Sequence, residues 1–247
     1  MDNNKIGTYS FIAEPFHVDF NGNLKWNILG NHLLNCASYH AKERGFGMAT
    51  INENHYTWVL SRLAVEMKRL PKQYESFSIQ TWVEDVYKLF TNRNYAVLDM
   101  DGHEIGYARS VWAMINMETR KPTDLLALHG GSIADYITDK PCPIDKPGRI
   151  NMSKDLTPVR EYGVQYSDID INGHVNSIKY IEHVLDLFTI EQFRQRQVKR
   201  FEVAYVAESY YGDTLSFYEE SKKEGENDIE IKNSNNEVVC RSKIVFN

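Results

Sequence analysis

The feature of this 247-residue chain that most limits how it can fold is an order of local signals that occurs twice. Gly30-Asn31-His32-Leu33-Leu34-Asn35 leads into a helix-like stretch through Ala41 and Arg44, which Gly45-Phe46-Gly47 ends. Further on, Asn172-Gly173-His174-Val175-Asn176 leads into the apolar-periodic run Ile178, Ile181, Val184, Leu185 and Phe188. In the first copy residues 58–69, Pro71 and the alternating Phe77, Ile79, Thr81 and Val83 follow; in the second, residues 201–208, Gly212-Asp213, Leu215 and Phe217. Asp101-Gly102-His103-Glu104 and Asn235-Asn236-Glu237 then turn into closing strands over 105–116 and 238–246. Two homologous halves are expected, each an α+β unit in which an antiparallel sheet wraps one long helix. Joining the two sheets edge to edge would complete them. Between the halves, residues 126–157 lose periodicity and collect Gly130-Gly131, Pro141, Pro143, Pro147 and Gly148, the composition of a linker. The expected division is 1–128, a linker 129–157, and 158–247.

Composition narrows the class of protein. A hydrophobic share of 42% is enough for one large or two smaller cores, and 25% charged residues argue against extensive disorder. With 28 Lys and Arg against 34 Asp and Glu, the net charge of -6 offers no general attraction to nucleic acid or anionic membrane. Cys36, Cys142 and Cys240 are widely spaced and form no CxxC pair, so reduced thiols are expected rather than disulfides or a zinc site. The N-terminus lacks an apolar signal core, and no run approaches the roughly 20 apolar residues of a membrane span. A cytoplasmic location is the expectation.

The densest chemistry is Asp168-Ile169-Asp170-Ile171-Asn172-Gly173-His174-Val175-Asn176, directly ahead of a helix. Asx and Gly residues there serve turns and N-caps, but capping does not call for an imidazole. A turn of this kind also gathers acids, a base and the N–H donors of a helix N-terminus at one point, where an oxyanion could be stabilised.

The run from Asp168 to Ile181 resembles the signature of the acyl-acyl carrier protein thioesterases, tandem double hotdog enzymes of plant plastids and bacteria, and the resemblance extends over nearly the whole chain. It implies hydrolysis of the acyl-carrier thioester, releasing free fatty acid and terminating fatty acid synthesis, with no cofactor and no metal. It places the family's catalytic residues on Asp170, Asn172, His174 and Glu208. Two departures stand out: Ser209 occupies a position often Cys in the plant enzymes, and Gly173 replaces the usual amide residue. Ser209 removes the basis for a cysteine nucleophile. The expected scheme has Glu208, with Asp170 as alternative or partner, polarising a water. Asn172 and His174 orient it, and N–H groups near Val175 and Asn176 receive the oxyanion. The resemblance also implies an acidic carrier protein as partner, for which Lys179, Arg194, Arg196, Lys199 and Arg200 are candidate docking cations. Pairing into a homodimer stays open.

By helix alignment His32 matches His174, while Ile28, Gly30 and Arg69 take the places of Asp170, Asn172 and Glu208. The first half therefore reads as non-catalytic and as lining an acyl tunnel, with Met48, Trp58, Leu60, Met67 and Trp82 as wall candidates. His129-Gly130-Gly131-Ser132 reads as a flexible loop, because no Gly-x-Ser-x-Gly elbow accompanies it. His183 and Glu182 beside His174 do not match a metal-binding pattern. The alternatives are an acyl-CoA thioesterase, a hotdog 3-hydroxyacyl dehydratase and a non-enzymatic acyl-binding protein.

Overall fold

A computed structural model describes residues 5–247, without the side chains of 128–131. The chain divides into two units: the first runs to Leu63 and resumes over Met67–Lys146, and the second holds Ala64–Glu66 and Pro147–Asn247. No helix among the described residues is long and apolar enough to cross a membrane.

The first unit contains β1 (Ile6–Ile12), α1 (Trp26–Glu43), the short α2 (Met48–Asn52), β2 (Tyr56–Met67, apart from Ala64–Glu66), β3 (Ser76–Val86), β4 (Phe90–Leu98) and β5 (Glu104–Asn116). Its strands lie in the order β1-β3-β4-β5-β2, and β3 pairs antiparallel with both β1 and β4. Helix α1 buries Trp26, Leu29, Gly30, Leu33, Cys36, Ala37, His40 and Ala41, a stripe at helical spacing. It begins four residues earlier than the sequence suggests. Gly30 and His32 are therefore interior helix positions, because the apolar stripe from Trp26 and Leu29 continues through Gly30 to Leu33 and tertiary burial outweighs the turn-like composition of this stretch.

The second unit contains β6 (Arg160–Gly163), α3 (Ser177–Leu185), α4 (Ile190–Gln195), β7 (Val198–Tyr205), β8 (Thr214–Lys223), β9 (Glu226–Lys232) and β10 (Val238–Phe246). Its strand order is β7-β10-β9-β8-β6, antiparallel throughout. Tyr180, Ile181 and Val184 of α3 are buried, as are Phe201, Val203, Leu215, Phe217, Ile229, Ile231 and Ile244 of the sheet. The expected long helix through Phe188 is instead nine residues. The N–H groups of Leu187 and Phe188 reach back only three residues, to Val184 and Leu185, and Thr189 then starts α4 with a reciprocal capping box to Gln192. That second cap competes successfully with continuation of α3.

The linker is more structured than its composition suggests. Its backbone runs in 3₁₀ conformation over Leu128–Tyr136, correcting the expected flexible loop; the side chains of His129, Gly130 and Gly131 lie outside the described residues. Further on, Trp82 Nε1 donates to Lys140 O at 3.0 Å, and Arg109 donates to the carbonyls of Cys142 (2.6 Å) and Ile144 (2.8 Å). These bonds tie residues 140–144 to the first unit.

Candidate active site

The loop ahead of α3 is built on two aspartates with different tasks. Asp170 Oδ1 accepts the N–H groups of Asn172 (2.8 Å) and His174 (3.3 Å). The Gly173 N–H returns to Asp170 O, and Gly173 sits at φ +81°, where a Cβ would be strained. Asp168 is 1% exposed and lies beneath. Its carboxylate accepts Tyr162 Oη (2.9 Å) and the Gln165 N–H (2.8 Å), and it meets His183 Nε2 at 3.2 Å, while its carbonyl accepts the Asn176 N–H. His183 is thus a buried partner of the loop's foundation. Burial lowers its pKa against the pull of Asp168.

The segment after β7 crosses this loop. Val175 N donates to Ser209 O at 2.8 Å, and His174 and Tyr210 form an isolated antiparallel bridge. Glu208 is thereby brought to the histidine, its Oε1 3.4 Å from His174 Nδ1. Tyr210 Oη donates to Glu208 Oε2 at 3.1 Å, and its ring meets His174 edge-on at 5.2 Å. The side chains of His174 and Glu208 are 25% and 35% exposed, open enough to meet a ligand. Sequence reasoning missed Tyr210; its signal was the two-residue spacing from Glu208, which in extended chain returns a side chain to the same face.

Asp170, Asn172 and His174 do not form the single row expected from their alternation. The Asp170 carboxylate turns back into the loop, and Asn172 is exposed at the tip. The expected oxyanion donors are also corrected: the N–H of Val175 is taken by Ser209 O and that of Asn176 by Asp168 O, because the loop's own pairing uses them. Among the described residues, the run of N–H groups from Asn172 to Lys179 leaves only that of Ser177, in the first turn of α3, without a protein acceptor.

The first unit repeats this loop, at a place other than the one expected. Asp19 Oδ1 accepts Asn21 N (2.8 Å) and Asn23 N (3.0 Å), Gly22 sits at φ +71°, and Leu24 N donates to Pro71 O. Asn23 bridges to Lys72 as His174 does to Tyr210. Asp19, Asn21, Gly22 and Asn23 therefore correspond to Asp170, Asn172, Gly173 and His174. Leu70, not Arg69, stands opposite Glu208, and His32 corresponds to His183. The first unit keeps the turn and lacks both the imidazole and the carboxylate.

The remaining candidates separate cleanly. Cys36, Cys142 and Cys240 are free and buried, and burial pushes the thiols of Cys36 and Cys240 up to about 12. Ser209 is 0% exposed, its hydroxyl facing Tyr180. Of the basic cluster, Arg200 is half-buried on Glu202 (2.7 Å), and Lys179, Arg194 and Arg196 pair with Glu182, Glu191 and Glu224. Asp99, Asp101 and His103 hold potential metal-ligand atoms within 4.8 Å of one another on the exposed β4–β5 hairpin. There Asp99 Oδ1 accepts the turn N–H groups of Asp101 and His103.

Two α+β units in one chain, each with a helix against an antiparallel sheet, make the double hotdog architecture. The acyl-ACP thioesterase N-terminal domain model matches residues 8–127, and the C-terminal domain model matches residues 152–247. The chain belongs to the acyl-ACP thioesterase family. An acyl-ACP thioesterase from Bacteroides thetaiotaomicron is 63% identical with a TM-score of 0.95, each chain covered in full. The 12:0-ACP thioesterase from Umbellularia californica, 19% identical, shares the fold with a TM-score of 0.87 over 99% of this chain and 98% of that one. Oleoyl-acyl carrier protein thioesterase 2 of Arabidopsis thaliana is 27% identical over 228 residues, 83% of this chain. The match spans 60% of that relative's length.

Proposed function

We propose that the protein hydrolyses acyl-acyl carrier protein, releasing the fatty acid and ending its synthesis. The observation that carries this reading is the Glu208–His174 pair, held by Tyr210 in the half that matches the family's C-terminal domain. Glu208 takes a proton from water as the water oxygen bonds to the thioester carbon. The Ser177 N–H receives the developing oxyanion, and His174 steadies Glu208. Collapse of the tetrahedral intermediate breaks the C–S bond, and the thiolate takes back the proton. Asp170 holds the turn. Free-thiol release from carrier-protein and coenzyme A thioesters of graded length tests the reading: preference for the carrier supports it, and preference for coenzyme A replaces the partner.

The scheme leaves no covalent work for Ser209 or the cysteines. Ser209→Ala, Cys36→Ser, Cys142→Ser and Cys240→Ser are each expected to keep most of the turnover per folded molecule, with no acyl-enzyme in intact-mass spectra of quenched reactions. An acyl adduct on Ser209 would overturn the water scheme.

Carrier docking is narrowed by the ion pairs. Arg200 is spent within the fold, so the exposed Lys199, with Arg194 and Arg196, is the better candidate for an acidic carrier. Lys199→Glu is expected to raise KM several-fold for carrier thioesters and to leave KM for coenzyme A thioesters unchanged. Equal effects on both substrates would dismiss this surface.

The first unit is assigned to the acyl chain. A cavity of about 200 Å³ there is lined by Met48 and Trp58 together with Ala37, Phe46 and Trp112. The other expected wall residues, Leu60, Met67 and Trp82, are buried elsewhere; Trp82 packs on Ala96, Cys142 and Ile144. Substitutions at Met48 and Trp58 should therefore shift the chain-length profile, each methylene contact contributing about 1 kcal/mol. Trp82→Ala should lower the melting temperature without moving the profile. A profile unmoved by both cavity substitutions would reduce the first unit to a scaffold.

A further inference from the structure

The cavity in the first unit has one wall residue that a plain hydrocarbon does not explain. Arg93 of β4 is 6% exposed and lines this largely apolar space. Its surroundings are hydroxyls rather than acids. Nη1 donates to Thr81 Oγ1 at 3.2 Å, and that hydroxyl is itself committed to Asn94 O. Ser110, opposite Arg93 on β5, is engaged by Trp112 Nε1 (2.8 Å) and Tyr95 Oη (3.0 Å). Among the described residues no carboxylate forms an ion pair with Arg93. The charged neighbour Arg44 works against it, and burial pushes its pKa down.

The part-buried arginines Arg109 and Arg200 are arranged differently. Arg109 holds both oxygens of Glu84, at 2.9 and 2.7 Å, and two backbone carbonyls. Arg200 holds Glu202. A guanidinium has five donors in a planar fork, and burying it with one hydroxyl partner leaves a charge that the chain alone does not compensate. An oxygen acceptor entering the cavity would complete it, and a carboxylate fits the fork in bidentate fashion.

We propose that this cavity receives an aliphatic chain bearing an oxygen acceptor, with the chain against Met48, Trp58 and Trp112 and the oxygen on Arg93. The proposal rests on the thioesterase reading and names the substrate class within it. The oxygen has two sources: a hydroxyl or carboxyl group far along the acyl chain, or the carboxylate of the released fatty acid entering head first.

Trp58 and Trp112 line the cavity, so intrinsic fluorescence reports occupancy without turnover. The test titrates octane, octanoate and 8-hydroxyoctanoate into the full chain and into Arg93→Leu and Arg93→Lys, and measures kcat/KM for octanoyl and 8-hydroxyoctanoyl thioesters. Arg93→Leu should bind the oxygen-bearing probes about tenfold more weakly or worse, bind octane at least as well as wild type, and be partly rescued in Arg93→Lys. Loss for octanoate, with no wild-type preference between the two thioesters, assigns the fatty-acid carboxylate. A wild-type preference for the 8-hydroxyoctanoyl thioester that vanishes in Arg93→Leu assigns the distal oxygen. Should Arg93→Leu fail to fold, the wild type decides: equal affinity for octane and both oxygenated probes overturns the proposal, as does a folded Arg93→Leu that binds all three like wild type. Arg93-dependent binding with no thioester hydrolysis on any substrate would fail the thioesterase reading and leave the oxygen site standing.

Discussion

Glu208→Ala is expected to lower kcat/KM on carrier thioesters by about two to four orders of magnitude, the scale of a lost general base, with little change in melting temperature. His174→Ala should fall in the same range. Both side chains are partly open to solvent, so removing either disturbs little packing. Asp170 is expected to behave differently, and the first unit shows why. Asp19 makes the same pair of turn hydrogen bonds where no imidazole or glutamate follows, so this aspartate is needed to build the turn. An asparagine side-chain oxygen accepts the same N–H groups. Asp170→Asn should therefore retain far more turnover than Asp170→Ala, whereas a proton-accepting Asp170 would make the two variants equally poor. Near-wild-type turnover in Glu208→Ala would remove that residue from the mechanism and return the base to Asp170.

Acid should destabilise the first unit well before most of its carboxylates are protonated. His40 is fully buried, and burial together with Arg93 and Arg44 lowers its pKa to about 3, against a weaker opposing hydrogen bond to Lys5 O. His32, packed against Phe11 and Phe77, is lowered to about 4 by burial and His17, with Glu14 opposing. The unfolded chain binds these protons near 6.5, so it holds more protons than the folded chain anywhere between that value and the folded ones. The stabilisation is complete above pH 6.5 and declines as pH falls through the window to 4 and then 3. Within its own window each lowered pKa costs about 1.4 kcal/mol per pH unit, and solvent screening makes the share of the partly buried His32 the smaller of the two. Denaturation midpoints between pH 7 and pH 4 should drop steeply in the wild type and less steeply in His40→Gln and in His32→Leu. Slopes identical in all three proteins would mean that neither histidine drives the acid transition.

Much of the site's local chemistry could be read from residues 168–176. Asp170, Gly173 and Asn176 specify a tight turn and a helix cap through bonds that span two to four residues, and the structure shows those bonds. The same local reasoning misplaced the first copy. Gly30-Asn31-His32 has the composition of a turn, yet the buried face of α1 passes through it, while the real counterpart, Asp19-Phe20-Asn21-Gly22-Asn23, lies closer to the N-terminus. Composition ranks local preference, and burial of a continuous apolar stripe outweighs it. The length of α3 was misread for a related reason, since periodicity carries through Phe188 while Thr189 caps a new helix.

The sequence by itself determined what depends on neighbours along the chain: the repeated order of elements, the Asx turn, the alternating strands, and, through a recognisable signature, the identity of the candidate acids and base. Only the tertiary structure decided what depends on crossing segments. The bridge between His174 and Tyr210 places Glu208 on the imidazole, the Ser209 and Asp168 carbonyls consume the N–H groups of Val175 and Asn176, and Arg93 is buried with no acid paired to it among the described residues. Each of these is a pairing between residues distant in sequence. A hydrogen bond or charge has no defined partner until the chain has folded back on itself, so its satisfaction, or its lack, cannot be read from spacing.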